Sequence, residues 1–182
     1  MKTGVFIERD GVLVKARVQR QQQISPLSLE DFAIVKSAVP LLRRLRDAGM
    51  VVIVTTNQPG LSRGYQSRRV LDLMHKRLRD ELVVDDILVC PHDETDCCLC
   101  RKPKPGLLTE GAFKWQIALD HSFVISDKWQ DAQAAHAAGC TSLLVESPWL
   151  SGGHHDLVLP NLKAAVEKLL TIHERPLRVV AG

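Results

Sequence analysis

The feature that most constrains the fold is residues 5–11, which read VFIERDG, an apolar run that ends in two acids and a glycine. Such a run predicts a buried strand. Because side chains at i and i+2 share one face of a strand, we expect Glu8 and Asp10 to project together at the carboxyl edge of a sheet, where open α/β sheets bind ligands. Paired carboxylates suit Mg²⁺, and one of them can attack phosphorus while the other transfers a proton. An ordinary strand end with two solvated acids is the alternative.

Further apolar runs along the chain alternate with helical patterns. The runs are residues 50–55, 87–89, 122–125 and 141–145, and the helical patterns begin near residues 37, 71, 108, 132 and 161. Strands that alternate with helices are typical of a parallel α/β sheet. With 182 residues, we expect a single domain spanning residues 1–182.

The balance of charge argues against several classes of partner. The formal net charge of +3 comes from dispersed lysines and arginines, which gives no indication of nucleic-acid binding. The first apolar run is too short for a signal-peptide core or a membrane span. We therefore expect a cytoplasmic monomer with no nucleic-acid or membrane partner.

The second apolar run breaks abruptly at residues 56–60, which read TNQPG. The Thr56 hydroxyl and the Asn57 amide can bind phosphate oxygens, and nearby glycines leave backbone N–H groups approachable. A plain strand-to-helix loop explains the same residues.

Four of the five cysteines lie in residues 90–100. Cys90 with His92, and Cys98 with Cys100, form two pairs of soft ligands that can close a tetrahedral zinc site. All four positions would be filled by protein, so the zinc would be structural. Cys97 leaves the register ambiguous by one residue, and we assign Cys98 because it gives a Cys-x-Cys pair. Unpaired buried thiols are the alternative.

Two charged segments follow. Residues 101–106 read RKPKPG and present Arg101 and Lys102, side chains that commonly bind phosphate, although a basic helix start is the simpler interpretation. Residues 126–131 read SDKWQD and place Asp127 at another strand end, where it would complete a Mg²⁺ site. Asp131 is either part of that site or an ordinary acid at a helix N-terminus.

The polar stretch over residues 12–30 is long for a turn beside a candidate site. It is either a flap over the ligand or a disordered surface loop.

Four blocks in this order, residues 6–12, 56–64, 90–106 and 126–131, resemble the haloacid dehalogenase superfamily of phosphotransferases. They are most similar to its D-glycero-D-manno-heptose 1,7-bisphosphate phosphatase branch. Histidinol-phosphate phosphatases share the zinc loop, but the sequence SRG at residues 62–64 favours the heptose branch.

The resemblance implies a Rossmann-like parallel sheet without a large cap domain, a small phosphorylated sugar as substrate, Mg²⁺ and Zn²⁺ as cofactors, and hydrolysis at the 7-phosphate through an acyl phosphate. By matched position, the catalytic residues are Glu8, Asp10, Thr56 and Lys102, and the substrate-binding residues are Asn57, Gln58, Arg101 and Lys128. The residues expected to bind Mg²⁺ are Glu8, Asp10 and Asp127. The residues expected to bind Zn²⁺ are Cys90, His92, Cys98 and Cys100.

One departure from the family pattern bears on activity, because the family has its nucleophilic aspartate where this chain has Glu8. An extra methylene displaces the carboxylate by roughly 1 Å, which can cost about 10²-fold in rate. Ser126 also replaces a common glycine. Three hypotheses follow: a sugar-phosphate phosphatase, a binding module that has lost turnover, and an otherwise ordinary enzyme that carries an artificial substitution.

Overall fold

The computed structural model of the protein describes residues 1–19, 22–150 and 153–174, and a six-stranded parallel sheet forms its centre. In their order across the sheet, the strands are β5 (Asp86–Cys90), β4 (Val51–Asn57), β1 (Gly4–Glu8), β6 (Phe123–Ser126), β7 (Thr141–Val145) and β8 (Leu157–Leu159). Two further strands, β2 (Arg17–Gln19) and β3 (Gln22–Ile24), pair with each other in an antiparallel hairpin. The predicted parallel α/β sheet is confirmed.

Within the described ranges, five α-helices flank the sheet. They are α1 (Ala38–Asp47), α2 (Arg68–Glu81), α3 (Gly106–Trp115), α4 (Trp129–Ala138) and α5 (Leu162–His173). Gly49 lies two residues after the end of α1, and Gly139 directly follows α4. Their φ angles of 80° and 79° are positive, a conformation that glycine takes without steric cost.

Alternate residues of the central strands divide the core into two layers. Val5 and Ile7 pack in the layer that contains α1, α2 and α5. Phe6 packs on the opposite side with residues of α3 and α4. The period of two in the strand explains this division, and it directs Glu8 toward the α3 and α4 side of the sheet.

Several boundaries differ from the sequence predictions. The hairpin of β2 and β3 lies within residues 12–30, which we expected to be irregular, and β8 was not predicted. β4 continues through Thr56 and Asn57, since both residues pair with β5. A short 3₁₀ helix (Leu119–His121), which was not predicted, follows α3.

Among the helices of the described residues, none combines the length and the apolar composition that crossing a membrane requires.

Candidate active site

The carboxyl ends of β1, β4 and β6 meet at one edge of the sheet and form the floor of a cleft of about 400 Å³. The walls of this cleft include Glu8, Asp10, Lys102 and Lys128. The apolar strands bring these charged side chains together because parallel strands all end at the same edge of a sheet.

Glu8 is buried, with 3 % of its surface exposed, and both of its carboxylate oxygens accept hydrogen bonds. Oε1 accepts from the backbone N–H groups of Arg9 at 2.9 Å and Asp10 at 3.2 Å. Oε2 accepts from the Lys102 ammonium. Burial alone would raise the pKa of Glu8, but the ammonium groups of Lys102 and Lys128 outweigh burial and lower it. Glu8 is therefore an ionised carboxylate at the centre of the cleft.

Asp10 lies just past the end of β1, and Arg9 binds its carboxylate through two hydrogen bonds of 2.8 and 2.9 Å. Ser25 and Gln58 donate to the same carboxylate at 2.6 and 2.9 Å. Burial opposes ionisation of Asp10, but these donors, the Arg9 guanidinium first among them, lower its pKa. The side chain is consequently held in a fixed orientation.

Arg9 itself is fully buried on the other side of the sheet edge from Glu8. Its Nη1 lies 3.0 Å from Nε2 of His75, and since a guanidinium can only donate, the histidine nitrogen accepts. Burial, followed by the Arg9 charge, lowers the pKa of His75 to about 3, so the imidazole is neutral. Arg9 orients the Asp10 carboxylate, and His75 in turn orients Arg9.

Lys102 connects two buried carboxylates. Its ammonium donates to Glu8, to Oδ1 of Asp131 at 2.7 Å and to the carbonyl oxygen of Thr55 at 3.2 Å. Burial raises the pKa of Asp131 to about 6, although the Lys102 ammonium opposes the shift. The Oδ2 atom of Asp131 is buried and has no hydrogen-bond partner among the described residues. Asp131 thus belongs to the charge network and is not a solvated helix acid.

The residues at the end of β4 and just after it have structural partners. Asn57 accepts from the Lys102 backbone N–H and donates to its carbonyl oxygen, both at 3.2 Å, so it fixes the backbone of that lysine. The hydroxyl of Thr56 accepts from Gln58 at 2.9 Å. Thr56 and Gln58 are buried and do not line the cleft, whereas Asn57 does.

The hairpin of β2 and β3, together with residue 25, reaches over the cleft. Gln23 donates to Oδ2 of Asp127 at 2.9 Å, and Ser25 contacts Asp10. Gly11, between these groups, has a φ of 97°, and a Cβ there would lie 2.1 Å from Asp127. These contacts support the interpretation of residues 12–30 as a flap over the site.

Two oxygen atoms of the residues expected to bind Mg²⁺ accept hydrogen bonds from one cation. The backbone carbonyl of Asp10 and Oδ1 of Asp127 accept from the Lys128 ammonium at 2.5 and 2.7 Å. A carbonyl and a carboxylate beside the Glu8 carboxylate are the hard oxygen donors that Mg²⁺ prefers. These oxygen donors therefore fit Mg²⁺, and the Lys128 ammonium shows that they already bind a positive charge.

Two arginines near the cleft are paired with acids. Arg101 donates to the His92 carbonyl oxygen at 3.2 Å and to Glu94 at 3.3 Å. Arg63 binds Asp93 through two hydrogen bonds, 2.5 and 2.6 Å long. A substrate phosphate at this rim would compete with these carboxylates.

The ligand atoms of Cys90, His92, Cys98 and Cys100 all lie within 4.8 Å of one another, beside the cleft. Four of the separations are 3.3, 3.5, 3.6 and 3.7 Å. The edges of a tetrahedral zinc site are about 3.5–3.8 Å, given Zn–S bonds near 2.3 Å and Zn–N bonds near 2.0 Å. The cluster therefore fits zinc, and Cys97, which is exposed, lies outside it.

Two comparisons of sequence identify the relatives of this chain. The HAD-hydrolase-like family model matches residues 99–165. A D-glycero-beta-D-manno-heptose-1,7-bisphosphate 7-phosphatase of Pseudomonas aeruginosa is 36 % identical over 149 residues, which cover 79 % of this chain and 80 % of the relative. A Helicobacter pylori protein with the same name is 32 % identical and covers 90 % of this chain and 95 % of its own.

This chain belongs to the haloacid dehalogenase superfamily, in the family that contains these heptose-bisphosphate phosphatases.

Solved structures agree with this membership. The heptose-bisphosphate phosphatase from B. bronchiseptica, crystallised with magnesium and phosphate, superposes with a TM-score of 0.76 at 29 % identity, over 93 % of this chain and 99 % of that one. A putative HAD-like phosphatase from Mesorhizobium loti gives a TM-score of 0.76 at 26 % identity, over 97 % and 90 % of the two chains. The haloacid dehalogenase fold expected from the sequence is confirmed.

The sequence did not assign roles to Arg9, Gln23, Ser25 or His75 in this haloacid dehalogenase site. Arg9 stands inside the first block, and its place between two acids was the available signal. Gln23 and Ser25 gave none, because their contacts depend on how the hairpin folds back over the sheet edge.

Proposed function

We propose that this chain is a Mg²⁺-dependent phosphatase that hydrolyses a phosphorylated sugar, D-glycero-D-manno-heptose 1,7-bisphosphate, at the 7-phosphate. One observation carries the proposal. The carboxylate of Glu8, the Lys102 ammonium and the oxygens of Asp10 and Asp127 converge in a single cleft, in a chain related to heptose-bisphosphate phosphatases.

Glu8 is the nucleophile in this account. Its carboxylate attacks phosphorus, the bond from phosphorus to the sugar oxygen breaks, and an acyl phosphate forms on Glu8. Lys102, already in contact with that carboxylate, stabilises the negative charge of the transferring group. Water then attacks phosphorus, which releases phosphate and regenerates the carboxylate.

Asp10 supplies the proton to the leaving oxygen and later takes one from the attacking water. The pKa of Asp10 is lowered in the free protein, so its carboxylate is ionised and can accept a proton from water. A phosphate dianion bound nearby raises the pKa of a carboxyl group, because like charges disfavour ionisation, and this suits the first role.

Glu8, the Asp10 carbonyl oxygen and Asp127 would hold Mg²⁺, which when bound neutralises the phosphoryl oxygens during transfer. Lys128 and Arg101 would bind the substrate, while Asn57 holds Lys102 in position and Gln58 orients Asp10. The Cys90, His92, Cys98 and Cys100 cluster would bind structural Zn²⁺ and fix the loop that leads to Lys102.

A second candidate function is phosphate binding without turnover. The observation that favours it is that the carboxylate of Glu8 already accepts three hydrogen bonds, one from Lys102 and two from backbone N–H groups. A carboxylate held by three donors is a weaker nucleophile than a free one.

Phosphate release from a panel of phosphate esters tests the proposal. The panel contains the heptose bisphosphate, several hexose phosphates and histidinol phosphate, with and without Mg²⁺, and ³¹P NMR identifies the phosphate removed. We expect Mg²⁺-dependent loss of the 7-phosphate, reduced by about 10²–10⁴-fold in Asp10→Asn. Release from histidinol phosphate alone would assign the chain to that branch, and inactivity of both native protein and Glu8→Asp would favour the binding module.

A further inference from the structure

The Lys128 side chain ends on the oxygens to which the proposed function assigns a metal. Its ammonium donates to the Asp10 carbonyl oxygen at 2.5 Å and to Oδ1 of Asp127 at 2.7 Å. The side chain of Lys128 is 23 % exposed and that of Asp127 is 6 % exposed, so the contact is largely shielded from water. These are hydrogen bonds within a fixed site, not a passing surface contact.

A divalent cation and this ammonium cannot use the two oxygens together. Mg²⁺ binds its oxygen ligands at about 2.0–2.1 Å, so a metal held by the same two atoms would conflict sterically with the lysine nitrogen. Two positive charges so close to each other also repel strongly in a shielded site. Binding of the metal therefore requires Lys128 to leave.

The charges around the site explain why the ammonium lies there. Four carboxylates, those of Glu8, Asp10, Asp127 and Asp131, lie close to three cations, those of Arg9, Lys102 and Lys128. Since Arg9 pairs with Asp10, and Lys102 pairs with Glu8 and Asp131, the ammonium of Lys128 balances the charge of Asp127.

We propose that Lys128 is a built-in cation that binds the oxygens of the divalent-metal site and competes with the metal for Asp10 and Asp127. This inference rests on the proposed function. It adds a coupling between two ligands, because the displaced ammonium gains a new partner when a phosphate dianion enters the cleft beside it. Metal and phosphate consequently bind with positive cooperativity, part of which is carried by Lys128.

Titration with Mn²⁺, in which EPR reports the free ion, tests this inference on the full chain carrying its zinc. We expect Lys128→Met to bind Mn²⁺ about tenfold or more tightly than the native protein, because the competing charge is gone. Lys128→Gln, which keeps a hydrogen-bond donor without the charge, should behave similarly and guards against a folding defect of the first variant. Lys104→Met is the matched control, since Lys104 lines the same cleft but donates to the Cys98 carbonyl oxygen, and it should bind Mn²⁺ like the native chain.

Inorganic phosphate provides the second arm. At saturating phosphate, the Mn²⁺ affinity of the native chain should rise more than that of Lys128→Met, so the difference between them narrows. Equal Mn²⁺ affinity of the native chain and both Lys128 variants would overturn this inference and leave the metal of the proposed function in place. Absence of Mn²⁺ binding at this site in all of the proteins, with or without phosphate, would overturn both.

Discussion

The carboxylate of Glu8 ends on the ammonium of Lys102, and both groups are buried beneath the cleft. The same ammonium binds Asp131 at 2.7 Å, so a single cation serves two carboxylates that are almost fully buried. Removing one partner of a buried ion pair costs stability, since the remaining charge is left buried without a partner.

Lys102→Met should destabilise the protein by about 3–5 kcal/mol, because it leaves Glu8 and Asp131 without their common cation. Urea unfolding at neutral pH measures the loss. Adding Asp131→Asn should restore part of it, since that change removes one of the two buried negative charges. Lys163→Met, at an exposed lysine of α5, is the control and should stay within about 0.5 kcal/mol of the native chain. Equal stability of the two lysine variants would contradict the assigned network.

Zinc should be present at one ion per chain, and its loss should disorder the loop that carries Arg101 and Lys102. Neighbouring cysteines give a matched pair of variants. Cys98→Ser should lose stoichiometric zinc because its sulfur lies in the cluster, while Cys97→Ser should retain it. Elemental analysis of both purified proteins decides this, and zinc bound equally well by the two variants would refute the ligand assignment.

Acid should destabilise the protein partly through His75. Its pKa is lowered in the folded state from 6.5 to about 3, so on acidification the unfolded chain binds the proton first. The corresponding stability is fully present above pH 6.5 and is lost as the pH falls toward 3, by about 2 kcal/mol between pH 6.5 and 5.

His75→Gln should remove that slope, since glutamine keeps an acceptor for Arg9 but does not titrate in this range. His121→Gln, at an exposed histidine, should retain it. Unfolding free energies of the three proteins, measured at several pH values from 5 to 7.5, provide the comparison. An unchanged slope in His75→Gln would show that the imidazole is protonated in the folded state as readily as in the unfolded chain.

The sheet and the cysteine cluster were predictable because their signals are local. Apolar runs such as residues 51–55 are buried on both faces of the sheet, and the spacing of Cys90 and His92 is set within three residues. The same locality explains why Glu8 and Asp10 could be assigned to one sheet edge.

The orientations within the site could not be predicted in the same way. Asp10 turns toward Arg9, its immediate neighbour, because β1 ends at Glu8 and the alternation of side chains stops there. The contact of Lys128 involves a backbone carbonyl, which has no signature in the sequence. The contact of Gln23 depends on the fold of a hairpin whose residues resembled a polar linker.

The measurement that tests the account most directly is the steady-state kinetics of the native chain and Glu8→Asp on the heptose bisphosphate with Mg²⁺. We expect Glu8→Asp to raise kcat by roughly 10² or more with little change in KM, because the distance and line of attack matter in the transition state, whereas the charge that attracts the metal is the same in both acids. A slower Glu8→Asp would contradict the account by showing that the backbone is fitted to glutamate. Two inactive proteins would contradict it by showing that the site binds phosphate without turnover.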